Sequence, residues 1–278
     1  MKIAALQMVS TPRLDDNLEA AARLVRAAAQ DGARLVALPE YFCLMGHTDE
    51  AKLTIAEAGV PVGERPGASD GPIQRRLSSW ARDQGVWLVG GTLPIRTNDP
   101  ARVRNACCVF SPDGRLAARY DKIHLFSFDN GRERYDEGRV LEAGNQTVAF
   151  DATIDGKTWR VGLSVCFDLR FPAHFQAMMA PPCDLFIVPA AFTYTTGRVH
   201  WEMLLRARAV ENQCYVLASA QGGTHENGRR TWGHSMAIDP WGEVLAHLAE
   251  EEGITAADCS RARIDGVRQG MRMADDWK

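Results

Sequence analysis

The stretch Arg160-Val161-Gly162-Leu163-Ser164-Val165-Cys166-Phe167-Asp168-Leu169-Arg170-Phe171-Pro172 governs how the rest of the chain is read. An apolar, β-branched run ends in one cysteine, and a charged segment with helix-entry character follows at once. This is the pattern of a buried strand that delivers a thiol to a strand-to-helix turn, where backbone N–H groups are unpaired. A thiol so placed can attack a carbonyl, while the N–H of Phe167 can help hold the oxyanion that forms. The plainer alternative is that free cysteine is among the most buried residue types and acts as a small hydrophobe. Only the surrounding chain can decide between them.

Working outward, residues 147–150 and 157–165 pair as an antiparallel hairpin across Asp155-Gly156. Downstream, a helix is expected over 173–179 and a strand over 184–188, ending at Pro189. Small and hydroxylated residues over 190–197 suit a pocket wall, and 200–213 is an amphipathic helix with Trp201, Leu204, Leu205, Arg208 and Ala209 on one face. Strands follow at 214–220, 231–238 and 244–248, with a polar turn over 221–230 and an acidic, then helical, tail from Glu250.

Toward the N-terminus, 3–9 reads as a strand, and Asp15 or Asp16 caps a helix that Gly32 ends. The strand over 34–38 stops at Pro39, and Glu40 comes next. Residues 48–72 form a surface connection with one helical turn over 51–58, followed by a helix over 73–83 and a strand over 86–93. Residues 103–110 pair with 115–120 through Ser111-Pro112-Asp113-Gly114, and 131–145 reads as a charged, largely solvated loop. These strands exceed what one flat sheet usually holds, so two sheets must pack together with helices on their outer faces. The expected fold is α/β, a four-layer α-β-β-α sandwich, as a single domain over 1–278.

Composition narrows the function. The chain has 278 residues, 46% hydrophobic and 24% charged, which fits one large soluble domain. A net charge of −3 gives no reason to expect nucleic acid or an anionic membrane as partner, so small molecules are the default. Seven cysteines without a C-x-x-C pair point to a reducing cytosol. Residues 2–9 are too short and too lightly charged for a signal peptide, and no apolar run reaches membrane-spanning length. The expectation is a cytoplasmic protein.

Several charged residues stand beside apolar ones. Glu40 is flanked by Tyr41, Phe42, Leu44 and Met45, which would desolvate it and suit it to take a proton near neutral pH. Lys122 and His124 lie in Tyr120-Asp121-Lys122-Ile123-His124-Leu125-Phe126, where each is read either as functional or as a packing residue. The seven histidines are scattered singly, which argues against a zinc site, and neither a P-loop nor a dinucleotide fingerprint occurs. Ser164 lacks the second glycine of G-x-S-x-G, so Cys166 is the better nucleophile; a Cys166–His124 pair stays conceivable.

The ordered trio Leu38-Pro39-Glu40, Asp121-Lys122-Ile123-His124 and Val165-Cys166-Phe167-Asp168-Leu169-Arg170-Phe171-Pro172 resembles the nitrilase, or carbon–nitrogen hydrolase, superfamily. The resemblance implies a Glu40–Lys122–Cys166 triad, a second glutamate for which Glu137 is the candidate ahead of Glu133 and Glu142, and no metal or organic cofactor. Ala173 follows Pro172 where relatives often carry an acid. Within the superfamily, 192–197, His200-Trp201-Glu202, 205–209, Trp232-Gly233-His234-Ser235-Met236 and Asp239-Pro240-Trp241-Gly242 resemble the deaminated-glutathione amidase and ω-amidase branch. That implies a linear primary amide bearing a carboxylate, with Phe167, Arg170, Phe192 and Thr196 as substrate-binding residues, and a homodimer joined through helical outer layers. Nitrile or N-carbamoyl hydrolysis, a silent ligand-binding homologue and a redox-sensing Cys166 are the competing readings.

Overall fold

The central strands are buried on both faces, the condition for lying between two covering layers. The structure is a computed structural model that describes residues 1–273. Residues 274–278, the end of the expected 1–278 domain, lie outside the described residues. The first half runs β1 (Lys2–Gln7), α1 (Leu14–Gln30), β2 (Leu35–Ala37), α2 (Ala51–Thr54), α3 (Pro72–Gln84), β3 (Trp87–Val89), β4 (Leu93–Arg96), β5 (Val103–Phe110) and β6 (Leu116–Asp121). A small hairpin, β7 (Ser127–Asp129) with β8 (Arg134–Asp136), leads to β9 (Val148–Ile154), β10 (Lys157–Leu163), α4 (Pro172–Gln176), β11 (Leu185–Ala190), α5 (Tyr194–Asn212) and β12 (Tyr215–Ala220). The chain closes with the hairpin β13 (Gly222–Thr224) and β14 (Arg230–Trp232), then β15 (Met236–Ile238), β16 (Val244–His247), β17 (Gly253–Asp258) and α6 (Arg261–Gly270).

One sheet has the order β17-β1-β2-β3-β5-β4, with β6 also paired to β5, and the other β16-β15-β12-β11-β10-β9. In both, the middle strands are parallel, β1-β2-β3 and β10-β11-β12, and antiparallel strands flank them. Ile3, Ala5, Leu35, Ala37 and Val109 of the first sheet share one core with Val161, Leu163, Ile187 and Leu217 of the second. The alternate residues Ala4, Leu6, Val36 and Leu88 pack instead on Leu18, Ala21 and Val25 of α1 and Ile73, Leu77 and Ala81 of α3. On the far side, Trp201, Leu205 and Ala209 of α5 and Phe175 of α4 cover the second sheet. The four-layer α-β-β-α order is therefore present. Among the described residues, no helix is long and apolar enough to cross a membrane.

The differences from expectation have local causes. The strand expected over 86–93 divides into β3 and β4 because Gly90-Gly91 turns the chain, with Gly91 at φ +53° and so close to the Pro39 carbonyl that no side chain fits. Gly233 and His234, both at positive φ, likewise split the strand expected over 231–238. Helix α1 starts at Leu14, so Asp15 and Asp16 sit inside its first turn, where their charge favours the helix dipole, and neither caps it. α5 begins six residues ahead of expectation, at Tyr194, because the Thr193 hydroxyl accepts from the Thr196 N–H. β17 returns antiparallel to β1 from within the acidic tail.

Candidate active site

Strand ends from both sheets converge on one buried cluster. Glu40 follows β2, Lys122 follows β6, and Cys166 opens a 3-10 turn over Cys166–Arg170 directly beyond β10. Cys166 stands at φ +51°, an uncommon backbone conformation for a non-glycine residue. Glu137 starts a second 3-10 turn, Glu137–Arg139, at the root of the β7–β8 hairpin. The sequence reads 131–145 as a largely solvated loop with Glu137 as the candidate second glutamate, and it is Glu137 that reaches inward to Lys122.

Lys122 is 1% exposed and bonds both acids: its Nζ lies 2.9 Å from Glu40 Oε1 and 2.8 Å from Glu137 Oε2. Glu137 is also held by the Tyr41 hydroxyl at 2.7 Å and the Phe126 N–H at 2.7 Å. Glu133 accepts from Thr195 at the surface and Glu142 pairs with Arg104, so neither competes for Lys122. Glu40, 1% exposed, accepts from Asn105 Nδ2 and from the Ala191 N–H, each at 2.9 Å. The Cys166 thiol stands near enough to Glu40 for each to act on the ionisation of the other.

The electrostatics divide the two acids. Burial pushes the Glu40 carboxyl up, and the attraction of Lys122 does not restore it because Glu137 repels. Burial also opposes ionisation of Glu137, yet the Lys122 charge and its hydrogen bonds hold it below the usual carboxylate range. For Lys122, desolvation works against the charge, but Glu137 and Glu40 together hold its pKa well above the ordinary lysine value. Burial and then Glu40 push the Cys166 thiol well up, so it rests protonated. One ammonium thus forms a settled ion pair with Glu137 and leaves Glu40 basic, beside a neutral thiol. Such a set can transfer a proton from sulfur, attack an electrophilic carbon and hold an oxyanion.

A cavity of about 10 Å³ lies against Cys166, lined by Phe126, Phe167, Arg170, Ala191, Phe192, Thr193 and Thr196; that is room for about one water. Phe167, Arg170, Phe192 and Thr196 therefore all meet at the thiol. Arg170 donates to His200 Nδ1 at 3.1 Å and lies over the rings of Phe167 and Phe192, and among the described residues no carboxylate is within ion-pair distance of it. His124 is engaged elsewhere: its Nδ1 is 2.7 Å from Asp168 Oδ1, and its ring stacks on Phe171 at 3.8 Å. The conceivable Cys166–His124 pair gives way to that contact. Ser164 donates to the Ile187 carbonyl, and Ala173 is exposed on α4.

Four contributors escaped the sequence reading: Asn105, the Ala191 N–H, the Tyr41 hydroxyl and Asp168. Asp168, fully buried, accepts from Val165 N–H, Tyr120 OH, His124 N–H and the His124 ring, so it ties the chain beside Cys166 to the chain on both sides of Lys122. With these bonds its carboxylate is occupied, although His124, Asp168 and His174 place possible metal-ligand atoms within 4.8 Å of one another. Asn105 alone carried a usable signal, a polar amide directly at the head of the apolar run Ala106-Cys107-Cys108-Val109.

The two-sheet sandwich that gathers a thiol, an ammonium and two carboxylates at its strand ends places the chain in a class of α-β-β-α hydrolases. The carbon-nitrogen hydrolase family matches residues 2–269, and the chain belongs to that family. It is 37% identical over 271 residues to a deaminated glutathione amidase of Synechocystis, covering 96% of this chain and 94% of the relative. It is 35% identical over 269 residues to omega-amidase NIT2 of Xenopus tropicalis, covering 96% and 91%. The crystal structure of Saccharomyces cerevisiae Nit3, a member of branch 10 of the nitrilase superfamily, superposes with a TM-score of 0.85 at 28% identity, covering 98% of this chain and 94% of that one.

Proposed function

We propose that the whole chain, read as one domain over 1–278, is an amidase that hydrolyses a small, linear, carboxylate-bearing amide through a thioester on Cys166, with deaminated glutathione as the favoured substrate. The observation that carries this reading is the buried cluster in which Lys122 Nζ bonds both Glu40 and Glu137 while Glu40, made basic by burial, acts on the proton-bearing Cys166 thiol. Glu40 takes the thiol proton and the thiolate attacks the amide carbon. Lys122 and the Phe167 N–H hold the resulting oxyanion. Collapse breaks the C–N bond, and the proton on Glu40 leaves with ammonia. Glu40 then takes a proton from water, the hydroxide attacks the thioester, and the acid and the Cys166 thiol are released. Glu137 keeps Lys122 charged throughout.

Arg170 offers its guanidinium fork to the substrate carboxylate, with Phe192 and Thr196 beside it. Binding opens the small cavity at Phe126 and Arg170. An ω-amidase acting on α-ketoglutaramate is the second reading, supported by the similarity to omega-amidase NIT2. The steps as written need no metal or organic cofactor. Seven free, buried cysteines support a reducing cytoplasm. Val199, Met203 and Val210 on one face of α5, 43–60% exposed, support a homodimer through this helical layer.

Ammonia release from deaminated glutathione, α-ketoglutaramate, an aliphatic nitrile and an N-carbamoyl amino acid tests the proposal, with Cys166→Ala as control. Preference for the first compound is expected, and preference for the second makes the chain an ω-amidase. Undiminished release by Cys166→Ala overturns the thiol chemistry.

A further inference from the structure

We infer that Asn105 is a positioning residue for the Glu40 base, fixing which carboxylate oxygen receives the Cys166 proton; this rests on the amidase reading above. Asn105 lies on β5, 3% exposed, and among the described residues its amide has one side-chain partner, Glu40 Oε1, to which Nδ2 donates at 2.9 Å. Its main-chain carbonyl accepts the Lys122 N–H at 3.1 Å. A single strand residue therefore holds the base by its side chain and the start of the Lys122 segment by its backbone.

The consequence follows from counting lone pairs. Oε1 of Glu40 accepts from Asn105 and from Lys122, which fills both of its sites. Among the described residues Oε2 accepts from the Ala191 N–H alone, so it keeps one site open. The proton from sulfur goes to Oε2. Without Asn105, Oε1 has a vacant site, the carboxylate can turn about its last bond, and proton transfer loses its fixed geometry. Asn105 also donates to the ionised form of Glu40 and so favours it. The charged and titratable groups facing Glu40 are Lys122 after β6, Glu137 in its 3-10 turn, Cys166 after β10, and the adjacent Tyr41; Asn105 on β5 is the neutral one.

The test is the pH profile of kcat/KM for amide hydrolysis, together with the pH profile of Cys166 alkylation by iodoacetamide read by peptide mass. Wild type is compared with Asn105→Ala and with Asn105→Asp, which is nearly isosteric and replaces the donor by a second carboxylate. In Asn105→Ala, kcat is expected to fall roughly tenfold or more, the size of effect of losing a hydrogen bond to a charged group. The acid limb of both profiles is expected to move up by on the order of one pH unit with little change in KM, and further in Asn105→Asp. If Asn105→Ala does not fold, Asn105→Ser carries the same comparison. A folded variant with an unmoved acid limb and undiminished kcat overturns the inference. If wild type alkylates at Cys166 but hydrolyses no amide, the amidase reading fails, and the alkylation profile alone still judges Asn105.

Discussion

At the scale of single residues, Glu40 and Glu137 flank the same ammonium yet are held on opposite sides of the ordinary carboxylate range. The difference does not lie in the number of donor groups, since Glu40 draws on Lys122, Asn105 and the Ala191 N–H and Glu137 on Lys122, Tyr41 and the Phe126 N–H; burial raises Glu40 most, and the like charge of Glu137 adds to it. Glu137→Gln removes that repulsion and leaves Lys122 to Glu40 alone. Glu40 then titrates lower, so the acid limb of kcat/KM moves to lower pH while the weaker base costs roughly 10- to 100-fold in kcat. A pH–rate profile of this variant checks both parts. The shift is opposite in sign to that expected when Asn105 loses its amide, so the pair of variants separates repulsion from hydrogen bonding at one carboxylate. Lys122→Ala is expected to cost on the order of 10² or more in rate, as the loss of an oxyanion donor does.

At the scale of elements, the strand-to-turn junction at Cys166 is held by Asp168, which bonds chain on both sides of the gap between β10 and the end of β6. Burial resists its ionisation, but the His124 hydrogen bond leads the groups that hold its carboxyl below the ordinary aspartate value. A depressed folded pKa gives stability that is complete above the unfolded value and lost as pH falls through the folded one. Asp168→Asn is therefore expected to cost about 2–4 kcal/mol at neutral pH, with the gap from wild type closing as pH falls below about 4. Urea melts at several pH values measure this; a gap independent of pH would mean that the charge of Asp168 does not matter.

Elements were also where the sequence was most and least legible. Cys166, Glu40 and Lys122 stood at the ends of apolar runs stopped by proline or charge, and those runs became β10, β2 and β6. Periodicity gave the hairpin of β5 and β6 because Pro112-Asp113-Gly114 admits little else. What it could not give was contact between distant segments. Asn105, Ala191 and Glu40 meet only after two sheets have packed, and β17 is a strand because β1 offers it an edge, within a composition that reads as an acidic tail. Residue chemistry by itself did not separate Glu137 from its charged neighbours Glu133, Arg134 and Arg139; the family resemblance singled it out.

At the scale of the whole molecule, the sandwich buries its inner faces and leaves three large apolar side chains exposed on α5. Val199, Met203 and Val210 fall at helical spacing beside a groove of about 630 Å³ that Trp232 and Met236 also line. A second copy of the chain seated there would bury this stripe. Light scattering of wild type is expected to show a dimer and Met203→Asp a monomer, and the dimer's melting temperature is expected to rise with concentration. A wild-type monomer at every concentration would remove the dimer from the account.

The most direct measurement of the central claim is the intact mass of the protein quenched in acid during turnover of an amide substrate. Wild type is expected to gain the substrate mass less ammonia, on the peptide bearing Cys166, while Cys166→Ala stays at its own mass and releases no ammonia. Turnover by Cys166→Ala, or an acyl group found on a residue other than Cys166, would contradict the account.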